Sequence, residues 1–284
     1  DEPTAVLVPQ EVDALFASLR ELTAQGDTVI FISHKLDEVL KHADAITVIR
    51  QGKTVGEISD PSTVTSHELA EMMVGSELPT PETRESTVTD QPVLELSGLT
   101  VPAADPGGRD PVRNVSFTVH RGEIVGIAGV EGNGQSELVR SLVGLLPSTG
   151  SVIVDGDDIA ALSTRERRDA GIGYISEDRQ KDGLVLGFTL WENAALGHHH
   201  RRPFAKGPWF DLKGTKARAE VIVDEFDVRT PSINVPAFTL SGGNQQKLVV
   251  GREMTADPKV LVAAHPTRGV DVGAQSVIWD ILRD

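Results

Sequence analysis

The sequence of 284 residues contains no cysteine, which excludes disulfide bonds and thiolate-ligated metal sites. Its apolar runs are short: residues 260–264 form one of the longest, far below the roughly 18 residues of a membrane-spanning helix. Basic residues are outnumbered, with 27 Lys and Arg against 42 Asp and Glu and a net charge of −15, which argues against a nucleic-acid-binding protein. The length allows one large or two small domains, and 39% hydrophobic residues are ordinary for a globular protein. Because no apolar run could span a bilayer, we expect a membrane role only through a partner subunit.

The first 92 residues predict a domain end followed by a linker. Apolar spacing predicts a helix over 10–24, an apolar strand over 28–33 and a hairpin over 45–58. Residues 59–92 are rich in Ser, Thr, Pro and Glu, as in a linker. One helix is expected inside it, because Thr65 and Glu68 have the spacing of a capping box.

The remainder predicts an α/β domain that begins near Val93. Strands are expected at 93–99, 115–119, 123–130, 151–154, 173–176 and 259–264, with a helix over 134–146. Alternating strands and helices favour a largely parallel sheet.

A glycine-rich loop joins strand 123–130 to the helix that follows. Gly129, Gly132, Asn133, Gly134, Gln135 and Ser136 fit the phosphate-loop pattern G-x-x-x-x-G-K-[ST] at every fixed position except the lysine. Glycines let successive backbone N–H groups point at phosphate oxygens, the helix adds its positive end, and Ser136 has a hydroxyl for Mg²⁺. The competing interpretation is a tight turn, which the flanking elements disfavour.

Gln135 occupies the place of the lysine. A hydrogen bond from a charged donor stabilises by roughly 1.5–3 kcal/mol, against about 1 kcal/mol from a neutral one. We therefore expect the loop to bind a nucleotide with less of the charge stabilisation that phosphoryl transfer needs.

A second glycine-rich segment reads Leu240-Ser241-Gly242-Gly243-Asn244-Gln245. Ser241 stands where a helix N-cap is expected. Between a phosphate loop and a strand that ends in Pro-Thr, this segment resembles the signature of ABC-type ATPases. The resemblance implies a P-loop NTPase of ABC type: an α/β fold with a mostly parallel sheet core, an antiparallel β subdomain and a helical signature subdomain. It also implies that ATP and Mg²⁺ are the cofactors.

The resemblance assigns roles at the start of the chain. Asp1-Glu2-Pro3-Thr4 is similar to the end of a Walker B strand. Asp1 would be the Mg²⁺-linked carboxylate, and Glu2 the base that orients the attacking water. His34 resembles the switch histidine that contacts the γ phosphate, although a lone histidine at a strand end is more often structural.

The segment from Tyr174 to Arg179 resembles the Q-loop of sugar-type ABC ATPases, with Glu177 near the usual glutamine. In the family this loop senses the γ phosphate and contacts the membrane subunit. A plain surface loop is the alternative.

The second Walker B strand departs from the family. Ala264 and His265 stand at the positions of the acidic pair, and Ala264 has no group to hold a metal-bound water. With Gln135, this predicts a degenerate site. Because ABC ATPases close head to tail, Asp1, Glu2 and His34 would face the signature in a second, competent site.

The whole chain resembles the tandem ATPase subunit of a simple-sugar or nucleoside importer. The expected divisions are 1–58, the C-terminal part of the first half; 59–92, the linker; and 93–284, the second half, truncated before its switch histidine. Membrane permeases, and indirectly a solute-binding protein, would be its partners at the cytoplasmic face of the cell membrane. Ala264 and His265 favour the nucleoside-type branch.

Two further interpretations remain open. A soluble tandem ABC ATPase acting on ribosomes or DNA would have the same motifs, although the acidic linker and the lack of cysteine disfavour it. The isolated chain would also lack half of each composite site, which predicts negligible ATPase activity.

His198, His199 and His200 are a candidate metal site, but a solvated loop is the expectation.

Overall fold

The computed structural model describes residues 3–4, 7–50, 52–75, 86–105, 107–130, 132–270 and 272–283. The helices of the described residues are α1 (Pro9–Ala24), α2 (Leu36–His42), α3 (Ser66–Val74), α4 (Gln135–Leu142), α5 (Thr164–Asp169), α6 (Leu190–Ala194), α7 (Leu212–Glu225), α8 (Gly242–Met254) and α9 (Val272–Arg283). Their strands are β1 (Ile46–Arg50), β2 (Lys53–Ile58), β3 (Pro92–Val101), β4 (Val112–His120), β5 (Thr149–Val154), β6 (Asp157–Asp158), β7 (Ile172–Ile175), β8 (Ala205–Lys206), β9 (Trp209–Phe210) and β10 (Val260–Ala263).

The chain packs as two compact units. One comprises residues 1–82 and 271–284, and the other comprises residues 83–270. In the first unit, α9 packs against α3, although α9 follows the second half's motifs in sequence. The division into 1–58, 59–92 and 93–284 describes order along the chain and stays a prediction.

The first unit is built from a hairpin and amphipathic helices. Strands β1 and β2 pair antiparallel, and Ile46 and Val48 are buried with Leu69 of α3. On α1, Phe16 is buried and stacks on His42 at 4.0 Å between ring centroids. The predicted helix, hairpin and linker helix are therefore confirmed.

The predicted capping box of α3 is also confirmed. The Glu68 backbone N–H donates to Thr65 Oγ1 at 3.2 Å, and the Thr65 backbone N–H donates to Glu68 Oε2 at 2.8 Å. Each side chain thus accepts from a donor that the helix start leaves unpaired.

The second unit contains the expected antiparallel subdomain, a sheet of order β4-β3-β5-β6. Its buried face includes Leu99 and Val152, both fully buried. Leu138 and Leu142 of α4 join the same core, so the helix that follows the glycine loop is fixed against this sheet.

The parallel part of the second unit is the pair β7 and β10, with Ile172 opposite Val260. Beside it, α6, α7 and α8 pack on one another around the fully buried Ile222 and Leu248. These helices form the predicted helical signature subdomain. A parallel pair, an antiparallel sheet and a helical subdomain agree with the predicted α/β class.

Two predicted strands, 28–33 and 123–130, are wrong for this structure. Both segments lack regular structure, and their side chains are open to solvent, with Ile30 88% and Ile124 68% exposed. A strand exists only with a neighbour that completes its hydrogen-bond ladder. Among the described residues, neither segment has one.

Among the described residues, every helix is too short or too polar to cross a membrane.

Candidate nucleotide-binding site

The glycine loop turns sharply into α4. Gly132 and Gly134 have φ values of +86° and +100°, and Gly134 is the N-cap of α4. The Asn133 backbone N–H donates to the Val130 carbonyl at 3.2 Å. Only glycine enters the left-handed region without steric cost, so two of the predicted loop glycines are required by the backbone.

Gln135 is folded back into its own loop. Its Nε2 donates to the Val130 carbonyl at 3.1 Å. A Cβ atom on Gly129 would lie 2.1 Å from that Nε2, so the missing side chain of Gly129 makes room for the amide. The neutral amide stabilises the loop at the position where a lysine would project its charge.

Ser136 is joined to two other motifs through Glu177. Ser136 Oγ donates to Glu177 Oε2 at 3.0 Å, and Arg268 Nη1 donates to Glu177 Oε1 at 2.8 Å. A hydroxyl and a carboxylate this close are the oxygen ligands that Mg²⁺ prefers. Ser136 and Glu177 therefore fit the predicted metal, which would neutralise charge on bound phosphates.

The residues after Glu177 connect this cluster to the signature. Arg179 donates to the backbone carbonyls of Arg268 at 2.6 Å and Gly269 at 3.0 Å. Gln180 Nε2 donates to Gln245 Oε1 at 3.1 Å. The predicted Q-loop segment, together with Gln180 directly after it, thus links the phosphate loop to the signature helix.

The signature begins as its sequence predicts. Ser241 is the N-cap of α8, and Asn244 Nδ2 donates to Ser241 Oγ at 2.9 Å. Gly242 is packed so closely that a Cβ there would lie 2.5 Å from Arg179 Nη2. Gly243 is buried within the first turn of the helix.

Gln245 lies differently from the other predicted signature residues. Its side chain is buried and donates to the backbone carbonyls of Ala237 and Leu240 at 3.2 and 3.3 Å. It fixes the loop before α8, and its contact with nucleotide stays a prediction.

A buried ion network holds the far end of α8. Glu253 is fully buried and accepts from Arg168 at 3.1 Å, from Arg252 Nε at 2.9 Å and from the Tyr174 backbone N–H at 3.2 Å. Burial acts to raise the pKa of Glu253, but the guanidinium groups of Arg252 and Arg168 outweigh it and lower that pKa. The carboxylate thus stays charged and ties α8 to α5 and β7.

The histidine triplet belongs to this network in part. His198 is buried, and burial lowers its pKa to about 3; its Nδ1 lies 2.7 Å from Arg201 Nη2. His200 Nε2 instead lies 2.8 Å from Asp169 Oδ1. The expectation of a solvated loop is wrong for His198, because its side chain is buried in the network while that of His200 contacts Asp169. Within the described residues, no cluster of His, Asp and Glu could hold a metal ion.

The predicted catalytic residues of the first half are only partly described. Asp1 and Glu2 lie outside the described residues, while Thr4 is buried and its Oγ1 donates to Glu38 of α2. Lys35 Nζ donates to the Thr4 carbonyl at 2.7 Å. Because His34 directly precedes Lys35, these bonds bring the chain after Glu2 close to the half-buried His34.

Ala264 and His265 follow the end of the parallel pair. The Ala264 backbone N–H donates to the Ile175 carbonyl at 2.9 Å, which places Ala264 beside the strand that leads to Glu177. His265 has a φ of +47°. The carboxylate near Ser136 is therefore that of Glu177, and position 264 supplies only a methyl group.

Sequence reasoning missed Arg268 as part of the site, and it placed Arg179 in the Q-loop segment without assigning it a contact. Arg268 forms the ion pair with Glu177, and Arg179 secures the backbone at Arg268 and Gly269. Sequence spacing could not reveal these contacts, because Arg268 lies far along the chain from both Glu177 and Arg179.

Comparison with known proteins identifies the family. Residues 112–268, more than half of the chain, match the family model described as ABC transporter. The chain belongs to the ABC transporter family. The matched residues of this ABC protein run from β4 through the glycine loop and the signature to Arg268.

Relatives of this ABC protein are named for import. It is 45% identical over 287 residues to a glucose import ATP-binding protein of Haloferax volcanii, covering 100% of the chain and 52% of that relative. It is 40% identical to a nucleoside import ATP-binding protein of Lactococcus lactis, covering 96% of the chain and 54% of that relative. The chain spans about half the length of these curated relatives.

A solved structure with the same fold is a dimeric, post-hydrolysis ATP-binding cassette bound to ADP and Pi. Its TM-score to this chain is 0.57 at 25% identity, covering 66% of the chain and 81% of the cassette.

Proposed function

We propose that this chain is part of an ATP-hydrolysing subunit that energises import of a nucleoside or simple sugar through separate membrane permeases. Identities of 40–45% to glucose and nucleoside import ATP-binding proteins support the transport role. The subunit would lie peripherally at the cytoplasmic face of the cell membrane, and a solute-binding protein would deliver the solute to the permeases.

We further propose that its two nucleotide sites are unequal. One site combines Asp1, Glu2 and His34 with the signature at Ser241–Asn244 and hydrolyses ATP. The other uses the loop with Gln135 and Ser136, together with Ala264 and His265, and binds ATP without efficient hydrolysis. Two contacts support this proposal. The Gln135 amide is bound to its own loop, and Glu177 lies between Ser136 and Arg268.

The residues present explain why the second site would bind ATP without hydrolysing it efficiently. Backbone N–H groups of the glycine loop, the N-terminus of α4 and the Ser136 hydroxyl suffice to hold phosphates. Efficient hydrolysis also needs a carboxylate that orients water, and position 265, which corresponds to Glu2, holds a histidine. Glu177 is engaged by Arg268, so its carboxylate is not free to replace the missing base.

Single-turnover ATP hydrolysis by the full-length protein tests the inequality. Glu2→Gln is expected to slow hydrolysis by about 10²–10⁴-fold, as expected for loss of a general base. The matched variant His265→Gln should change the rate less than about twofold. Unimpaired hydrolysis by Glu2→Gln, or an equal loss of hydrolysis rate in His265→Gln, would contradict the proposal.

ATP binding tests the role of Gln135. Gln135→Lys places a charged donor in the loop, and a gain of about 1–2 kcal/mol corresponds to roughly tenfold tighter binding of Mg–ATP. Gln91→Lys adds the same charge to the same unit at an exposed position and should leave affinity unchanged. Equal affinities for Gln135→Lys and the parent chain, measured by calorimetry, would refute the assigned role.

A further inference from the structure

The hairpin of β8 and β9 presents aromatic side chains to solvent. Trp209 is 77% exposed and Phe210 is 50% exposed. Leu212, at the start of α7, is 49% exposed and follows them closely in sequence. None of these three side chains belongs to the nucleotide site described above.

The base of the hairpin is well anchored, so its exposed tip is a fixed feature. Phe204 and Ala205 are buried at 6% exposure each, and the Asp211 backbone N–H donates to the Phe204 carbonyl at 2.7 Å. Asp211 also caps α7 by accepting from the Gly214 backbone N–H at 3.1 Å. Gly207, first residue of the two-residue turn, has the positive φ of +63° that a tight hairpin of this kind requires.

The hairpin is basic in an acidic protein. Residues 201–218 contain one acidic residue, Asp211, in a chain of net charge −15. The same stretch contains six basic residues: Arg201, Arg202, Lys206, Lys213, Lys216 and Arg218. Lys206 pairs with Asp211 at 2.7 Å while its side chain stays 73% exposed, and Arg202 and Lys213 are exposed as well.

We propose that this hairpin, residues 202–213, binds the surface of an anionic lipid bilayer. Tryptophan and phenylalanine at a loop tip insert at the level of the lipid headgroups, because their rings are apolar and tolerate the interface. Lysine and arginine beside them keep their charges in water and pair with lipid phosphates. The hairpin supplies both at one tip.

A lipid surface fits the tip better than a protein partner does. Stable protein interfaces use about 20–30 residues on each side, whereas the apolar part of this tip is three side chains. A bilayer needs no matching shape, and each interfacial cation adds affinity through the negative surface potential. The proposal is independent of the nucleotide sites and of any permease.

Cosedimentation of the purified chain with protein-free vesicles tests the proposal. We expect binding to vesicles of phosphatidylcholine with 30% phosphatidylglycerol, and little binding to phosphatidylcholine alone or at about 0.5 M salt, where charges are screened. In a Trp191→Phe/Trp279→Phe background, Trp209 fluorescence should shift to the blue on binding. That shift locates the contact, because Trp209 is then the reporting tryptophan.

Variants separate the apolar and charged contributions. Trp209→Ser/Phe210→Ser should weaken vesicle binding about tenfold or more, and Arg202→Gln/Lys213→Gln about fivefold for each charge removed. Phe238→Ser, at a site 62% exposed and outside the hairpin, should bind as the parent does. Unchanged thermal unfolding would show that the hairpin variants fold.

Three outcomes would overturn the proposal. These are no binding to anionic vesicles, equal binding by the hairpin variants and the parent, or binding only to membranes that contain permease subunits. The last result would assign the hairpin to a protein partner.

Discussion

The glycine loop and the start of α8 both join glycines to a helix N-terminus, but the molecule holds them very differently. The loop is open: Val130 is 65% exposed, and a Cβ on Gly132 would contact nothing within 4 Å. Helix α8 is enclosed, with Gln245, Gln246 and Glu253 all buried. Buried polar groups that are fully paired hold a segment in one arrangement.

This difference shows which of the two glycine-rich segments is held in place by its surroundings. The signature is fixed by its own half through Gln180, Arg179 and the ion network of Glu253. The glycine loop is fixed at fewer points, chiefly by Gly134 and by the Ser136–Glu177 bond, and its backbone donors remain open for phosphate.

The largest expected effect is that of Glu253→Ala. The substitution leaves Arg252 and Arg168 without their shared carboxylate in a buried site, and removal of one partner from a buried ion pair costs about 3–5 kcal/mol. Chemical denaturation should show this loss in the free energy of unfolding. Glu220→Ala on the exposed face of α7 should stay within about 0.5 kcal/mol, and similar losses in both variants would show that the network does not stabilise α8.

Gly134→Ala tests the loop at a position where its backbone is tightly held. A Cβ there would lie 2.3 Å from the Pro111 carbonyl oxygen, and a φ of +100° is strained for alanine. Overpacking and left-handed backbone together should cost about 2–4 kcal/mol and weaken ATP binding. Gly126→Ala, where a Cβ meets nothing within 4 Å, is the control, and equal unfolding free energies for the two variants would contradict this account.

Local sequence patterns predicted what local physics determines. The capping box at Thr65 and Glu68, the N-cap at Ser241 and the glycines at 132 and 134 each depend on a few neighbouring residues, and the structure confirms them. The apolar strands 28–33 and 123–130 could not be settled this way. Their side-chain pattern is strand-like, but strand formation depends on neighbours that the pattern does not reveal.

Polar pairs between residues far apart in the chain could not be predicted from the sequence either. Glu177 and Arg268 meet across 91 positions, and Arg168 and Glu253 across 85. No spacing rule links residues so far apart, since their contact follows from the packing of β7, β10 and α8. The triplet at His198 was misjudged for the same reason, because burial of one histidine depends on what the neighbouring helices cover.

The smallest predicted effect is the pH dependence that His198 gives to this buried network. Burial lowers the pKa of His198 to about 3, so below pH 6.5 the unfolded chain takes up a proton that the folded chain does not. Stability therefore falls as the pH drops from 6.5, by at most about 1.4 kcal/mol per pH unit from this group. Denaturation between pH 6.5 and 5 should give a shallower slope for His198→Gln than for the parent, and His67→Gln, whose side chain is 58% exposed, serves as the matched control substitution. Burial also lowers the pKa of His42, which adds a slope common to all three proteins, so the difference between variants is the measure. Identical slopes for His198→Gln and the parent would mean that His198 takes up its proton over the same pH range in the folded and unfolded chains, and that burial in the network around α8 does not lower its pKa.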